Sequence, residues 1–347
     1  MMRNTIARTA ALMALSLAAA CGGGDGATRR VVVPRGASVS EATDSLVAAG
    51  VVRARHLFRV YAWLRGGERS IKAGTYLFHQ GDGWGTVVEK LRSGRGIMHT
   101  VTIPEGFSIS QITPLLVDRL GVSADSVNAA VRDSALLARL GLTTATIEGY
   151  LFPTTYTFAD GTSAREAITT MERQFEAEWQ PAWTARLDSI GLSRNQVMTL
   201  ASIVEKEAKL PEERPAIAAV YMNRLHAHML LQADPTVQYA LGQHRARVYF
   251  KDLRVQSPYN TYRYRGLPPG PIASPGVASI VAALYPARVP YRYFVASPDG
   301  HHEFRVSLSA HEQAVREARR ARSKSASGAA SRDTSTTTSR SAPRARP

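Results

Sequence analysis

Apolar residues recur at helical spacing through Ser193–Ala208, where Val197, Leu200, Ala201, Val204 and Ala208 fall on one stripe. On that wheel Lys206 points away from the stripe toward water, and Glu205 sits on its edge. A carboxylate placed there is a candidate acid catalyst, because partial desolvation favours the protonated form of an acid. The same spacing has a plainer account, since Lys209 lies four residues on and makes a favourable surface pair.

The pattern predicts further helices over 42–64, 84–91, 163–183 and 211–226, and shorter ones within 123–140. Lys72–Phe78 reads as a turn into a strand, while Gly149 and Pro153 rule out a long helix through 147–156. The stretch 257–276 is loop, dense in Pro and Gly. Tyr291–Ala296 and Phe304–Leu308 flank Pro298-Asp-Gly300 as a β-hairpin, and Ser309–Glu312 reads as a capping box opening a last helix that ends near Arg322.

Two segments repeat one another. Pro34-Arg-Gly-Ala-Ser-Val-Ser40, followed by Leu46 and Gly50-Val51, matches Pro104-Glu-Gly-Phe-Ser-Ile-Ser110, followed by Leu116 and Gly121-Val122. Each unit reads as a strand, a Gly turn, a Ser-capped helix and a Gly stop. Such units resemble LysM-like modules, which bind N-acetylglucosamine-containing glycans; a repeated packing unit without ligand is the other reading. Strands and helices intersperse without regular βαβ alternation, so the expected fold class is α+β.

Composition changes the picture in two places. A net charge of +15 on 347 residues favours anionic partners. The basic residues are spread along the chain and no zinc-finger or RRM spacing occurs, so nucleic acid is not the expected partner. Arg3 and Arg8 precede an apolar run, Thr9–Ala20, that ends in small residues before Cys21 and Gly22, the layout of a signal peptide. The run is shorter than the roughly 20 residues a spanning helix needs. Cys21, the sole cysteine, resembles the acylated cysteine of a lipobox, although Leu17 sits one place further away than that pattern puts it. A lipid anchor at Cys21 and a plain cleaved signal both imply export.

The search for nucleophile machinery is negative: no G-x-S-x-G elbow, phosphate-cradling loop or H-E-x-x-H occurs. His226/His228 and His301/His302 lack a carboxylate at ligand spacing, so neither metal nor cofactor is expected. Among the carboxylates, Glu207 lies on the opposite edge of the stripe from Glu205. Glu212 and Glu213 fit the dipole of the following helix's first turn. Glu148, in Ile-Glu-Gly-Tyr-Leu-Phe, is either a buried strut or part of a site. Asp234 reads equally as a turn former.

Longer strings carry a family resemblance. Leu200-Ala-Ser-Ile-Val-Glu-Lys-Glu-Ala208, Glu213-Arg214 with Tyr221-Met-Asn-Arg-Leu225, and Leu231-Gln-Ala-Asp-Pro-Thr-Val237 resemble the endolytic murein transglycosylase (YceG-like) family. So do Ser257-Pro-Tyr-Asn-Thr-Tyr262, Gly266-Leu-Pro-Pro-Gly-Pro-Ile-Ala273, Glu148-Gly-Tyr-Leu-Phe-Pro153 and Tyr293-Phe-Val-Ala296 with Gly300-His-His-Glu-Phe304. The resemblance runs from about Val31 to Arg319. It implies a LysM-like glycan-binding region over 31–122 and a mixed α+β catalytic domain over 123–322. A signal or lipobox segment (1–21) and a tether (22–30) would precede them, and a disordered basic tail (323–347) would follow. Members usually have an N-terminal membrane-spanning helix, from which this chain departs.

The resemblance puts Glu205 in the catalytic position and implies cleavage of the β-1,4 bond between N-acetylmuramic acid and N-acetylglucosamine within glycan strands. Glu205 would protonate the glycosidic oxygen and then accept the proton of the muramyl C6 hydroxyl as it closes a 1,6-anhydro ring. Tyr259, Asn260 and Tyr262 are candidates for binding the sugars, and Gln232, Asp234 and Glu148 for orienting groups. The implied partners are peptidoglycan strands and peptidoglycan synthases, at the extracytoplasmic face of the inner membrane. Two alternatives stay open: a hydrolytic muramidase using Glu148 or Asp234 as second carboxylate, and a non-catalytic glycan-binding scaffold.

Overall fold

In the computed structural model the apolar run 42–64 divides into two helices. Gly50 takes a left-handed φ of 71° and ends the first of them, with the Val51 N–H donating back to the Leu46 carbonyl. The structure describes residues 28–34, 36–65, 71–94, 96–242, 248–297, 300–318 and 320. The expected signal segment with Cys21, most of the tether and the tail from 323 lie outside the described residues. Thr28–Arg30, expected as tether, is already strand.

The described elements run β1 (Thr28–Val33), α1 (Val39–Ala48), α2 (Arg55–Leu64), β2 (Gly74–His79), α3 (Trp84–Ser93), β3 (Met98–Thr102), α4 (Ile109–Leu120), α5 (Ala124–Ala130), α6 (Ser134–Arg139), β4 (Thr155–Ala159), α7 (Ala164–Glu178), α8 (Pro181–Ile190), α9 (Arg194–Glu207), α10 (Arg214–His226), α11 (Asp234–Ala240), α12 (Val277–Leu284), β5 (Tyr293–Ala296), β6 (His302–Arg305) and α13 (308–318). The fold is mixed α+β. The strands form antiparallel pairs, β1 with β2, β3 with β4 and β5 with β6.

Two predicted boundaries shift for local reasons. The helix expected over 163–183 is two helices, because Pro181 cannot donate an N–H and Gln180 before it is extended, with ψ at 144°. The last helix is capped by Ser307 and not by Ser309, since the Ala310 N–H donates to Ser307 Oγ at 3.3 Å.

The chain forms two compact units. One takes the described residues up to Thr102 with Thr113–Ala130 and Thr155–Ile168; the other takes Ile103–Ile112, Val131–Thr154 and the residues from Thr169 onward.

In the first unit β1, α1, α2 and β2 form a β-α-α-β motif. Val31 and Val33 point inward with Tyr76 and Phe78 to meet Leu46, Phe58, Tyr61 and Leu91. Each such side chain contributes about 1.5–3 kcal/mol by leaving water. The repeat seen in sequence is a repeat of turn chemistry. Gly36 and Gly106 have φ of 73° and 74°, and Ser38 and Ser108 each donate a backbone N–H to a side chain three residues on, Glu41 and Gln111.

In the second unit α9 is the central element. Its residues 197–204 are all buried, with no single apolar stripe, because α8, α10, α11 and α12 pack around it. Thr199 and Ser202 are accommodated by donating to the carbonyls of Asn195 and Thr199.

Candidate active site

Helix α9 starts with a capping box. Ser193 Oγ accepts the Gln196 N–H at 3.2 Å, and Gln196 Oε1 accepts the Ser193 N–H at 2.8 Å. Three α9 side chains then grip the Pro-rich loop that follows Gly266. Asn195 donates to the Pro269 carbonyl at 3.0 Å, Ser202 accepts the Ile272 N–H at 3.0 Å, and Glu205 Oε2 accepts the Gly276 N–H at 3.1 Å. Their spacing puts all three on one helix face. The loop's shape depends on close approach: a Cβ on Gly149, whose φ is 85°, would stand 2.3 Å from Pro271 Cβ.

Glu205 is thus fixed at the point where α9 emerges from the core, with its side chain only 8% exposed. Its ion-pair partner is Arg214, at 3.7 Å, and not Lys209; Arg214 is in turn held by Ser279 Oγ at 3.0 Å. Lys206 does not face water as expected. It is partly buried, donates to the Gly106 carbonyl at 3.1 Å, and desolvation lowers its pKa against the opposing pull of Glu205. The Gly106 segment is held by reciprocal bonds, Gly106 N–H to the Ser274 carbonyl and Ser274 N–H to the Phe107 carbonyl, both 2.8 Å.

A second carboxylate belongs here. Glu105 is so close to Gly276 that a Cβ on that glycine would stand 2.0 Å from Glu105 Oε1. Partial desolvation and then the charge of Glu205 push the Glu105 carboxyl above the ordinary carboxylate range, while Arg214 opposes them. Sequence reasoning missed both Glu105 and Arg214. The available signal was the repeat itself, in which Glu105 occupies the position of Arg35 in the first copy.

The other candidates fall into two neighbouring networks. Glu148 is buried, with both oxygens accepting the Ile109 N–H at 3.0 and 3.2 Å, and burial raises its pKa to about 7 against hydrogen bonds from Ile109, Tyr239 and Gly149. Tyr259 packs on Tyr239 at 4.8 Å beside it. Asn260 is fully buried; its amide donates to the Leu253 and Val255 carbonyls and its Oδ1 accepts the Tyr262 N–H, so it shapes the loop from inside.

In the second network Tyr262 donates to Asp234 at 2.5 Å and Tyr221 to Glu207 at 3.1 Å. Desolvation lifts Glu207 to about 7, with Tyr221 and Arg224 opposing and Asp234 adding to the rise. Gln232 is exposed on this side with a left-handed φ of 51°, its N–H donating to the Thr261 carbonyl. Backbone strain at a non-glycine residue of this kind gathers at functional sites.

Glu213, expected to serve the dipole of α10, is instead a buried clamp. Its two oxygens take the His302 N–H at 2.7 Å and His302 Nδ1 at 2.6 Å, fastening β6 to the start of α10. Among the described residues no group of three or more His, Cys, Asp or Glu side chains could hold a metal ion. No described helix is long and apolar enough to cross a membrane.

The profile of the YceG-like family matches residues 31–317. An endolytic murein transglycosylase of Bacillus subtilis (strain 168) is 35% identical over 303 residues, covering 83% of this chain and 84% of the relative. One from Streptococcus pneumoniae serotype 2 (strain D39) is 29% identical over 297 residues, covering 77% of this chain and 54% of its own. The crystal structure of a yceG-like protein from Listeria monocytogenes superposes with a TM-score of 0.58 at 33% identity, covering 83% of this chain and 99% of that one.

Proposed function

The chain belongs to the YceG-like family, and on that premise we propose that it is a lytic transglycosylase that cuts peptidoglycan strands internally and leaves 1,6-anhydro-muramyl ends. The observation that carries the reading is Glu205: a carboxylate withdrawn from water at the end of a buried helix, yet held among the described residues by one N–H and one arginine. A group so placed can give and then take a proton without leaving its position.

Glu205, protonated, donates to the glycosidic oxygen, and the bond to the muramyl C1 breaks as positive charge grows there. The muramyl C6 hydroxyl then attacks C1, and its proton passes to the Glu205 carboxylate. The nucleophile belongs to the substrate, so the effective concentration of an intramolecular reaction replaces an enzyme nucleophile. Arg214 holds the carboxylate in line during both transfers. Gln232, Asp234, Tyr259 and Tyr262 bind and orient the sugars, with Asn260 and Glu148 supporting the loops that carry them. Peptidoglycan strands are the substrate, synthases the partners whose product is released, and the extracytoplasmic side of the membrane the place, through an anchor ahead of Gly22.

Glu105 favours a second reading, a hydrolase in which it activates water, since paired carboxylates flanking a glycosidic bond are the equipment of hydrolysis. One digestion separates the two. Purified peptidoglycan treated with the protein is analysed by mass spectrometry for ends lighter by one water than reducing ends. Anhydro ends that vanish with Glu205→Gln support ring closure; reducing ends indicate hydrolysis. Binding without cleavage would leave a glycan-binding scaffold.

A further inference from the structure

Helix α2 has two different apolar faces. Phe58, Tyr61 and Ala62 enter the core of the first unit. On the other side Leu57, Val60 and Trp63 are 48%, 51% and 54% exposed and recur at helical spacing as one stripe. Trp84, Trp179 and Trp183, the remaining tryptophans, are at least partly buried.

The segment that carries the stripe has charge of one sign. From Arg53 to Arg65 the sequence holds four arginines and one histidine but no carboxylate. Arg55 and Arg59 lie beside the stripe, both exposed, with Arg55 meeting Asp44 in an exposed pair at 2.7 Å. Arg65 sits over the Tyr61 ring, 5.5 Å from its centre. A cleft of about 330 Å³ lined by Val39, His56, Arg59, Val60 and Trp63 opens next to the stripe.

We propose that the outer face of α2 docks the first unit onto an anionic phospholipid surface, with Leu57, Val60 and Trp63 entering the headgroup layer and Arg55 and Arg59 meeting lipid phosphates. A tryptophan with aliphatic neighbours, bordered by basic residues, is the composition of helices that lie in the membrane interface. Three side chains make too small an area for a stable protein interface, which needs about 800 Å² from each partner. An anionic leaflet attracts each of the four arginines in this acid-free run. The reach is short as well: in the sequence only six residues separate Cys21, where the apolar run ends, from Thr28, and six residues span at most about 20 Å.

The test uses the full chain and brominated phospholipid vesicles of phosphatidylcholine, with and without phosphatidylglycerol. Expected is quenching of tryptophan fluorescence that needs phosphatidylglycerol, weakens with salt and disappears in Trp63→Phe. That variant isolates the α2 face from any binding through the N-terminal apolar run. Arg55→Gln with Arg59→Gln should lower the vesicle affinity of this component by about tenfold or more. Circular dichroism checks that these surface variants remain folded. Equal quenching in Trp63→Phe and wild type, or quenching indifferent to phosphatidylglycerol, overturns the proposal. So does a Trp63 signal that responds to soluble glycan fragments and not to vesicles.

Discussion

Glu105 and Glu205 meet across a single glycine: Glu205 accepts the Gly276 N–H at 3.1 Å, and Glu105 fills the space where a Gly276 side chain would stand. Arg214 acts on both carboxylates, as ion-pair partner of one and as an opposing charge on the other. Two acids and one permanent cation therefore share the start of α12, and the charge of Glu205 adds to the desolvation that makes Glu105 harder to ionise.

Replacing each acid in turn separates their parts. Glu205→Gln should reduce glycan cleavage to background. Glu105→Gln should lower it by about 100-fold, the lower end of what a positioned acid or base contributes. Thermal unfolding should be little changed in both. The rate of release of soluble muropeptides measures the effect, and an unaltered rate in Glu105→Gln would remove that residue from the chemistry.

Gly276→Ala probes the contact itself. The new Cβ would lie 2.0 Å from Glu105 Oε1, so the acid must swing away, with a loss of stability of about 1–3 kcal/mol. Adding Glu105→Ala should recover much of that stability while leaving cleavage impaired. Additive losses in this double-mutant cycle, read by urea denaturation, would show that the two residues do not press on one another.

Glu148 and Glu207 predict a pH dependence of stability. Burial lifts both from 4.5 to about 7 in the folded state. Below the ordinary value both states are protonated and nothing is lost. As pH rises toward 7, the unfolded chain releases protons that the folded one retains, so stability falls, and above that it levels off. For Glu148 alone the fall amounts to about 3 kcal/mol. Urea midpoints across this range should decline in wild type and decline less in Glu148→Gln; identical curves would contradict the shift.

Gln232 offers a test of strain against binding. Glycine at this position adopts a φ of 51° without the cost of about 1–2 kcal/mol that a left-handed L-residue carries. Gln232→Gly should therefore fold at least as stably as wild type yet show a raised KM for glycan strands. An unchanged KM would leave the side chain without a part in substrate binding.

What was legible in the sequence was whatever a few neighbouring residues decide. The paired Gly turns and Ser caps at Gly36/Ser38 and Gly106/Ser108, the loop after Ser257 and the helical nature of 194–207 all follow from local chemistry. Periodicity placed Glu205 at an edge but gave α9 one apolar stripe, because Thr199 and Ser202 count as polar until their hydroxyls are seen bonded to the helix's own carbonyls. Lys206 was aimed at water for the same reason. Its acceptor, the Gly106 carbonyl, lies 100 positions away and has no local signature. Glu105 and Arg214 were hidden likewise, since their meeting with Glu205 is created only by tertiary packing.

The bonds that tie Gly106 to Lys206 and Gly276 to Glu205 span 100 and 71 positions of sequence. Bonds of such separation must overcome the entropy of closing long loops. A chain still emerging from a ribosome or a translocation channel, with Gly276 not yet out, holds Glu205 without the N–H that fixes it and Glu105 without the glycine it rests on. The order of synthesis thus leaves both carboxylates unseated until Gly276 has been delivered.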